Sequence, residues 1–476
     1  MSKTFRAWTI DQPLLLPAVV GDFVPKDHLS RFVLALVREH LDLVAITGTY
    51  GSARGQPPFD PVMMTALLLY AYTQGIYSSR RIAKACRERV DVMCLVGLDP
   101  PDFRTISDFR KRHLQALSGL FVQVLKLCEQ AGLVKLGHVA LDGTKIKANA
   151  SKHKAMSYER MEARAAELEA EVAKWLAAAE AADAAEDAQH GASNSGEEMP
   201  GWVADKKKRA ETIRKAKAEL EAEAKAAAEA KAKAAAEAEA EEQRKAEGRK
   251  KPGKPAAPLS ETPDAKAQKN FTDPESRIMK SKDGFVQAYN AQAAVDAQAQ
   301  IIVAQGVTQE ATDQRQLVGM TDAIEANLGH KPTQLSADAG YCSEANLEAL
   351  EARGIDGYIA TGRARDAATG KAQEANAAAA VEAAAGTGSA APAEPPTRVE
   401  AMRAKIKAGG HDSPYRLRKQ LPEPVFGQIK EGRGFRQFLM RGIANVSAEW
   451  SLACTAHNIT KLFQRWSPSA ATAAAA

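Results

Sequence analysis

The stretch SADAGYCSEANL at 336–347 is the feature that most limits what this chain can fold into. A short apolar lead runs into Asp338 and a turn-prone Gly-Tyr pair, after which Ser343 carries the signal of a helix start. The pattern predicts a strand, a turn and a helix. Open α/β sheets place their chemistry at the carboxyl ends of strands, so Asp338 is a candidate site residue. A role as turn former or helix cap remains the alternative.

Two other stretches carry acids in a comparable setting. HVALDGTKIKANAS at 138–151 predicts a short strand over 137–141 that ends at Asp142, then an alternating strand with Lys145 and Lys147 on one face. YRLRKQLPEPVFGQIK at 415–430 predicts a helix with Glu423 in or beside it. Each acid could instead have a surface or capping role, and the sequence alone does not show that the three converge.

Three converging carboxylates would repel one another unless a cation lay between them. Hard oxygen ligands suit Mg²⁺ or Mn²⁺, and two such ions about 3.5–4 Å apart stabilise both oxygens of an in-line phosphoryl displacement. Convergence would therefore predict a two-ion site, with Lys145, Lys147, Arg418 and Lys430 serving phosphate groups. The chain has neither GxSxG nor GxxxxGK[ST], so no competing covalent mechanism is indicated.

Residues 1–135 predict a compact, mostly helical domain. An apolar helix and a turn precede a basic helix from Ser78, and a second basic stretch opens an amphipathic helix that we expect to start at Thr105 or Ser107 and end near Gly132. This order is compatible with helix-turn-helix-like DNA binding, and a bundle with solvated arginine faces is the alternative. The arginines expected to contact DNA are Arg80, Arg81, Arg110 and Arg112.

Residues 151–265 predict an insertion that carries no chemistry. A heptad seam at 161–179 and a second Ala/Glu/Lys helix predict a helical, coiled-coil-like hairpin, followed by a Lys/Pro-rich linker. Residues 364–400 are of low complexity and predict a disordered loop, and 466–476 predict a disordered tail. The remaining segments, 136–150, 266–363 and 401–465, predict one α/β domain with a mixed sheet and flanking helices.

The net charge and the spacing of the cysteines limit the class of protein to which this chain can belong. The formal net charge of +5 permits a polyanionic partner without requiring one. The five cysteines are widely spaced and form no CxxC, so a disulfide framework or a zinc site is not expected. No stretch approaches the roughly 20 apolar residues that span a bilayer. We therefore expect a soluble, cytoplasmic protein with no membrane partner.

Several ordered motifs resemble bacterial insertion-sequence transposases of the DDE group. They are HVALDGTKIKANAS, SRIMKSKDGFVQAYNAQAAVD, LSADAGYCSE, YRLRKQLPEPVFGQIKEGRGFRQFLMRG and CTAHNITKL, and QPPFDPVMMTALLLYAYTQGIYSSRRIAKAC resembles the accompanying N-terminal domain. The resemblance implies a ribonuclease-H-like catalytic domain and a metal-binding triad of Asp142, Asp338 and Glu423. It implies cleavage of double-stranded DNA at element ends, joining to target DNA, assembly as a homodimer or larger complex, and a place at the bacterial nucleoid.

The closing signature of this group runs Tyr, Arg, Glu, Lys. Tyr415 and Arg418 keep the first spacing, and Glu423 and Lys430 keep the last, but one extra residue separates Arg418 from Glu423. The departure leaves the role of Arg418 open. Arg433, Arg436 and Arg441 would line the DNA path, with a solvated face as the alternative.

Three other functions remain open. A hydrolytic nuclease would share the triad without strand transfer. An inactive, transposase-derived DNA-binding protein would keep the fold and lack the chemistry. A structural coiled-coil protein would explain 155–250 but not the acids on strands.

Overall fold

A computed structural model describes residues 19–51, 57–190, 201–245, 262–281, 284–362 and 396–466. Most of the loop predicted at 364–400, and the tail predicted at 466–476 beyond Trp466, lie outside the described residues. Backbone contacts divide the chain into two compact units. The first comprises Met1–Ile146, Asn290–Met440 and Ala444–Ala476, and the second comprises Lys147–Tyr289 with Arg441–Ile443.

The first unit begins with helices, as predicted. These are α1 (Leu29–Glu39), α2 (Val44–Thr47), α3 (Pro61–Thr73), α4 (Ser79–Glu88), α5 (Val90–Val96), α6 (Phe103–Arg112) and α7 (Leu114–Gln130). The side chain of Asp60 accepts hydrogen bonds from the N–H groups of Val62 and Met63, which starts α3 at a proline. The apolar run that follows makes α3 the central, buried helix of this region.

The single helix predicted from Thr105 or Ser107 to Gly132 is wrong. Asp102 caps α6 by accepting the N–H of Thr105 at 2.7 Å, so the helix starts earlier. A break at His113 then separates α6 from α7. The cap was missed because Asp102 follows a Pro-Pro pair that marks the chain as a turn.

The sheet of the first unit is mixed. Its strands are β1 (His138–Lys147), the second half of β5 (Gly284–Asp296), β6 (Ile302–Thr308), β7 (Gln334–Ala337) and β8 (Asp356–Ile359). The order is β6-β5-β1-β7-β8, with β1, β7 and β8 parallel and β5 and β6 antiparallel. The two strands predicted around Asp142 are one continuous strand, because Gly143 stays extended instead of turning.

Helices cover this sheet. They are α10 (Gln316–Leu328), α11 (Glu344–Ala352), α12 (Arg398–Gly409), α13 (Leu417–Gln420), α14 (Pro422–Gly427) and α15 (Ile443–Trp466). A single π-helical stretch, Gln428–Gly432, follows α14. Buried Asn458 of α15 exchanges two hydrogen bonds with the backbone of Ile302, which fixes this helix along the edge strand β6.

The second unit contains α8 (Tyr158–His190) and α9 (Gly201–Lys245), together with β2 (Ala155–Ser157), β3 (Gln268–Asn270) and β4 (Arg277–Ser281). The two long helices bury one apolar cluster, which consists of Met161, Ala165, Leu168, Ala210, Ile213, Ala216 and Leu220. Lys206–Glu171 and Lys217–Glu162 ion pairs connect the helices in antiparallel order. No helix in the described part of either unit has the length and apolarity of a membrane span.

Trp450 connects the fold to the region around Glu423. Its buried ring lies 6.4 Å from the ring of Phe426 on α14, and its Nε1 donates to the backbone oxygen of Gln292 at 3.0 Å. We expect Trp450→Ala to lower the free energy of unfolding by about 3–5 kcal/mol and Trp450→Phe by about 1 kcal/mol. Chemical denaturation followed by circular dichroism measures both. A Trp450→Phe protein as stable as wild type would contradict a role for the hydrogen bond, and equal losses in the two variants would contradict a role for the buried ring.

Candidate functional site

Two predicted acids lie side by side on neighbouring parallel strands, Asp142 within β1 and Asp338 directly after β7. Leu141 and Ala337 are register partners in β1 and β7, so the next residues, Asp142 and Asp338, lie at adjacent positions. Asp338 accepts the N–H of Gly340 at 2.8 Å and thereby starts the short helical turn after β7. Asp338 therefore forms a turn, as the alternative interpretation predicted, and this is compatible with a role in the site.

Arg418 lies between these two acids. Its Nη2 is 3.8 Å from Oδ2 of Asp142 and 3.7 Å from Oδ2 of Asp338. Its Nε is buried and has no hydrogen-bond partner. Burial opposes the charge of the guanidinium, yet Asp142 and Asp338 raise the pKa of Arg418 above its ordinary value. One cation thus serves two carboxylates.

This neutralisation is incomplete. The side chain of Asp142 is 14% exposed, and burial raises its pKa to about 6 although Arg418 and the N–H of Gly143 work in the opposite direction. Asp338 and Asp313 add repulsion. A buried carboxylate with a raised pKa next to a second carboxylate is a site that favours additional positive charge.

The raised pKa makes a prediction for stability. Since folded Asp142 holds its proton more tightly than the unfolded chain, its contribution is greatest below about pH 4 and is lost as the pH rises to about 6. Asp142→Asn should remove this loss. In the presence of EDTA, we expect the variant to gain about 1–3 kcal/mol relative to wild type between pH 4.5 and pH 7. Paired thermal melts measure the difference, and a constant difference across this range would contradict the burial effect.

A buried polar network lies beside the acids. Asp313, which follows β6, accepts hydrogen bonds on Oδ1 from Nδ2 of Asn290 at 2.6 Å and Nε2 of Gln292 at 2.7 Å. Lys145 lies 3.6 Å from the same oxygen, and the hydroxyl of Tyr341 donates to Gln292. The network therefore connects β1 and β5 with the segment that follows β6 and with the turn after Asp338.

Lys430 fixes the strand that carries Asp142. Its Nζ donates to Oγ1 of Thr144 at 3.0 Å and to the backbone oxygen of Lys145 at 3.2 Å. The predicted tyrosine and arginine of the closing signature also lie in this region, with Tyr415 half-buried. Tyr415 contributes to the raised pKa of Arg418.

Glu423 is placed differently from the two aspartates. It is exposed in the first turn of α14, which begins at Pro422. Across the described ranges, no group of three or more His, Cys, Asp or Glu side chains has the arrangement of a metal site. The structure thus brings Asp142 and Asp338 together and leaves Glu423 on a neighbouring surface element.

The predicted DNA-contacting residues separate by burial. Lys147, Arg80, Arg81, Arg112 and Arg436 are exposed, as is Arg441. Arg110 is 5% exposed and donates to the backbone oxygen of Tyr77 at 2.7 Å, so it braces the interior of the helical region. The Nη1 of Arg433 is buried without a partner, and burial lowers the pKa of this guanidinium. Arg436 pairs with Glu431, an acid eight residues after Glu423.

Sequence reasoning missed Asp313 and its two amide partners. The available signal was weak: Asp313 is another acid shortly after a strand, and Asn290 and Gln292 alternate along β5. Asp313 lies three residues before α10, which begins at Gln316.

Comparison with known families gives two matches. Residues 18–112 match a transposase domain (DUF772), and residues 392–463 match a transposase DDE domain. No curated protein and no solved structure matches the chain. The first match covers α1 to α6, and the second covers Arg418, Glu423, Lys430 and α15 as far as residue 463. Together, the two matches support an insertion-sequence transposase of the DDE group.

Proposed function

We propose that this transposase cleaves double-stranded DNA at the ends of its insertion sequence and transfers the cut strand to target DNA. The observation that carries the proposal is the pair of carboxylates, Asp142 and Asp338, around the single guanidinium of Arg418. The proposed catalytic domain, 136–150 with 266–363 and 401–465, is ribonuclease-H-like. The mixed sheet, with acids on adjacent central strands, supports this assignment.

The donor set fits a divalent cation. Two aspartates share the one positive charge of Arg418. The raised pKa of Asp142 indicates that the pair would be stabilised by additional positive charge. Asp142, Asp338 and Glu423 would hold Mg²⁺ or Mn²⁺, two ions in all, since hard oxygen ligands suit these metals. When bound, the ions would activate the attacking oxygen and stabilise the leaving oxygen of a phosphoryl displacement. Glu423 would complete the set from α14.

The basic residues of the chain would bind and orient DNA. Arg418, Lys430, Lys145 and Tyr415 surround the two aspartates and would contact phosphates next to the cut. The exposed residues Arg80, Arg81, Arg112, Lys147 and Arg436 would contact DNA farther away. We propose no DNA contact for Arg110 or Arg433, because their guanidinium groups face the protein interior.

Assembly and location follow from this function. Strand transfer with paired ends requires a homodimer or larger complex, and the long helices α8 and α9 of the 151–265 insertion are the proposed contact. The enzyme would act in the bacterial cytoplasm at the nucleoid. Removal of 155–250 followed by mass measurement in solution tests the contact, and an unchanged oligomer would exclude it.

A joining assay tests the proposed function. Labelled DNA from the sequences that flank the coding region is incubated with the full chain, Mg²⁺ and a supercoiled plasmid. A transposase yields covalent joints between the label and the plasmid. Cleaved ends without joints would indicate the hydrolytic nuclease, and binding without cleavage would indicate the inactive DNA-binding protein.

A further inference from the structure

We propose that Asp313 is a positioning residue that holds the amine of Lys145 beside Asp142 and Asp338, ready for a DNA phosphate. The role of Lys145 in binding a DNA phosphate rests on the proposed function. The contact between Lys145 and Asp313 does not. Lys145 and Asp313 lie 3.6 Å apart, and their side chains are 20% and 18% exposed. The pair is therefore mostly withdrawn from solvent, where such a contact is screened less than on the surface.

The carboxylate of Asp313 is fixed before Lys145 reaches it. Two amide groups donate to Oδ1, from Asn290 at 2.6 Å and from Gln292 at 2.7 Å. Both amides come from alternate residues of β5, in the part of that strand that is buried. A second hydrogen bond orients each one: Asn290 also donates to the backbone oxygen of Glu310, and Gln292 accepts the hydroxyl of Tyr341. Asp313 is thus a fixed anion instead of a mobile surface acid.

Lys145 needs such a partner. Burial lowers the pKa of its amine, whereas Asp313 is the strongest influence in the opposite direction. Asp313 also lies close to the backbone after each acid. A Cβ at Gly143 would lie 2.6 Å from Oδ1, and a Cβ at Gly340 would lie 3.5 Å from Oδ2. The fixed anion, and with it the lysine, therefore lies next to the segments that follow both Asp142 and Asp338.

The test uses the full chain with Asp313→Asn, Lys145→Met, the double variant, and Asp322→Asn as control. Asp322 is an exposed acid that pairs with Arg353 at 2.9 Å, so its replacement removes a comparable charge elsewhere. The first measurement is the rate of reductive methylation of each lysine, read by peptide mass spectrometry at pH 8. We expect Asp313→Asn to speed methylation of Lys145 about threefold to tenfold, since loss of the anion lowers the fraction of charged amine. An unchanged rate at Lys145, or an equal change in the control, would overturn the proposal.

The second measurement is cleavage of end DNA. If Asp313 acts through Lys145, the double variant should cleave no more slowly than Lys145→Met alone. Additive losses would mean that Asp313 has a separate role and would overturn the proposal. If wild type does not cleave at all, the proposed function fails, and the methylation rate alone decides the role of Asp313. Should Asp313→Asn fail to fold, Asn290→Ala loosens the same carboxylate, and an unchanged Lys145 rate in that variant would also overturn the proposal.

Discussion

Asp142→Asn and Asp338→Asn should each reduce the single-turnover rate of end-DNA cleavage by at least about 10³-fold. Each change removes one of two carboxylates that share the guanidinium of Arg418, and an amide offers a divalent cation neither the charge nor the second oxygen. DNA binding should stay within about twofold, because the phosphate contacts come from basic residues.

A matched control separates this loss from a general effect of charge. Asp322→Asn alters an exposed acid that pairs with Arg353, and it should leave cleavage unchanged. Glu423→Gln should behave like the aspartate variants if Glu423 is the third acid, whereas Glu431→Gln, at the acid paired with Arg436, should not. Cleavage within about tenfold of wild type in either aspartate variant would contradict the assignment of the site.

Gly143→Ala is expected to lower cleavage by about 10²-fold, because a displacement of about 1 Å near reacting groups has effects of that size. The added Cβ would lie 2.6 Å from Oδ1 of Asp313 and 2.9 Å from Oδ1 of Asn290, with Nε2 of Gln292 closer still. These atoms are side-chain ends, but the hydrogen bonds from Asn290 Nδ2 and Gln292 Nε2 to Asp313 hold all three side chains, so the network must break or β1 must move. Either outcome displaces Asp142 and Lys145.

Gly137→Ala is the matched control for this prediction. Gly137 precedes the same strand, and a Cβ there meets no atom within 4 Å. Cleavage kinetics and thermal melts of both variants decide the matter. A Gly143→Ala enzyme as active as the Gly137→Ala enzyme would show that the network can yield without disturbing the acids.

Sequence reasoning located the two central acids because local signals defined them. An apolar run before each aspartate predicted a strand, and parallel strands in register bring their following residues together. The prediction that Asp142 ends its strand was wrong, because Gly143 continues the extended backbone where a turn was expected.

Features that depend on tertiary packing could not be predicted in this way. Arg110 directly precedes the exposed basic residues Lys111 and Arg112, and its contacts with the backbone oxygen of Tyr77 and the hydroxyl of Ser79 explain its burial. The position of the Asp313 carboxylate depends on hydrogen bonds from Asn290 and Gln292 of β5. No local pattern contains either contact, because each connects residues distant in sequence.

The position of bound Mn²⁺ tests the central claim most directly. Crystals of the full chain with end DNA and Mn²⁺ would reveal the ions by anomalous scattering. The account predicts Mn²⁺ bound to carboxylate oxygens of Asp142 and Asp338, with Glu423 as the third acid and Arg418 moved from the two aspartates to a phosphate. Mn²⁺ bound elsewhere, or Arg418 still between the two aspartates in the presence of saturating metal and DNA, would contradict it.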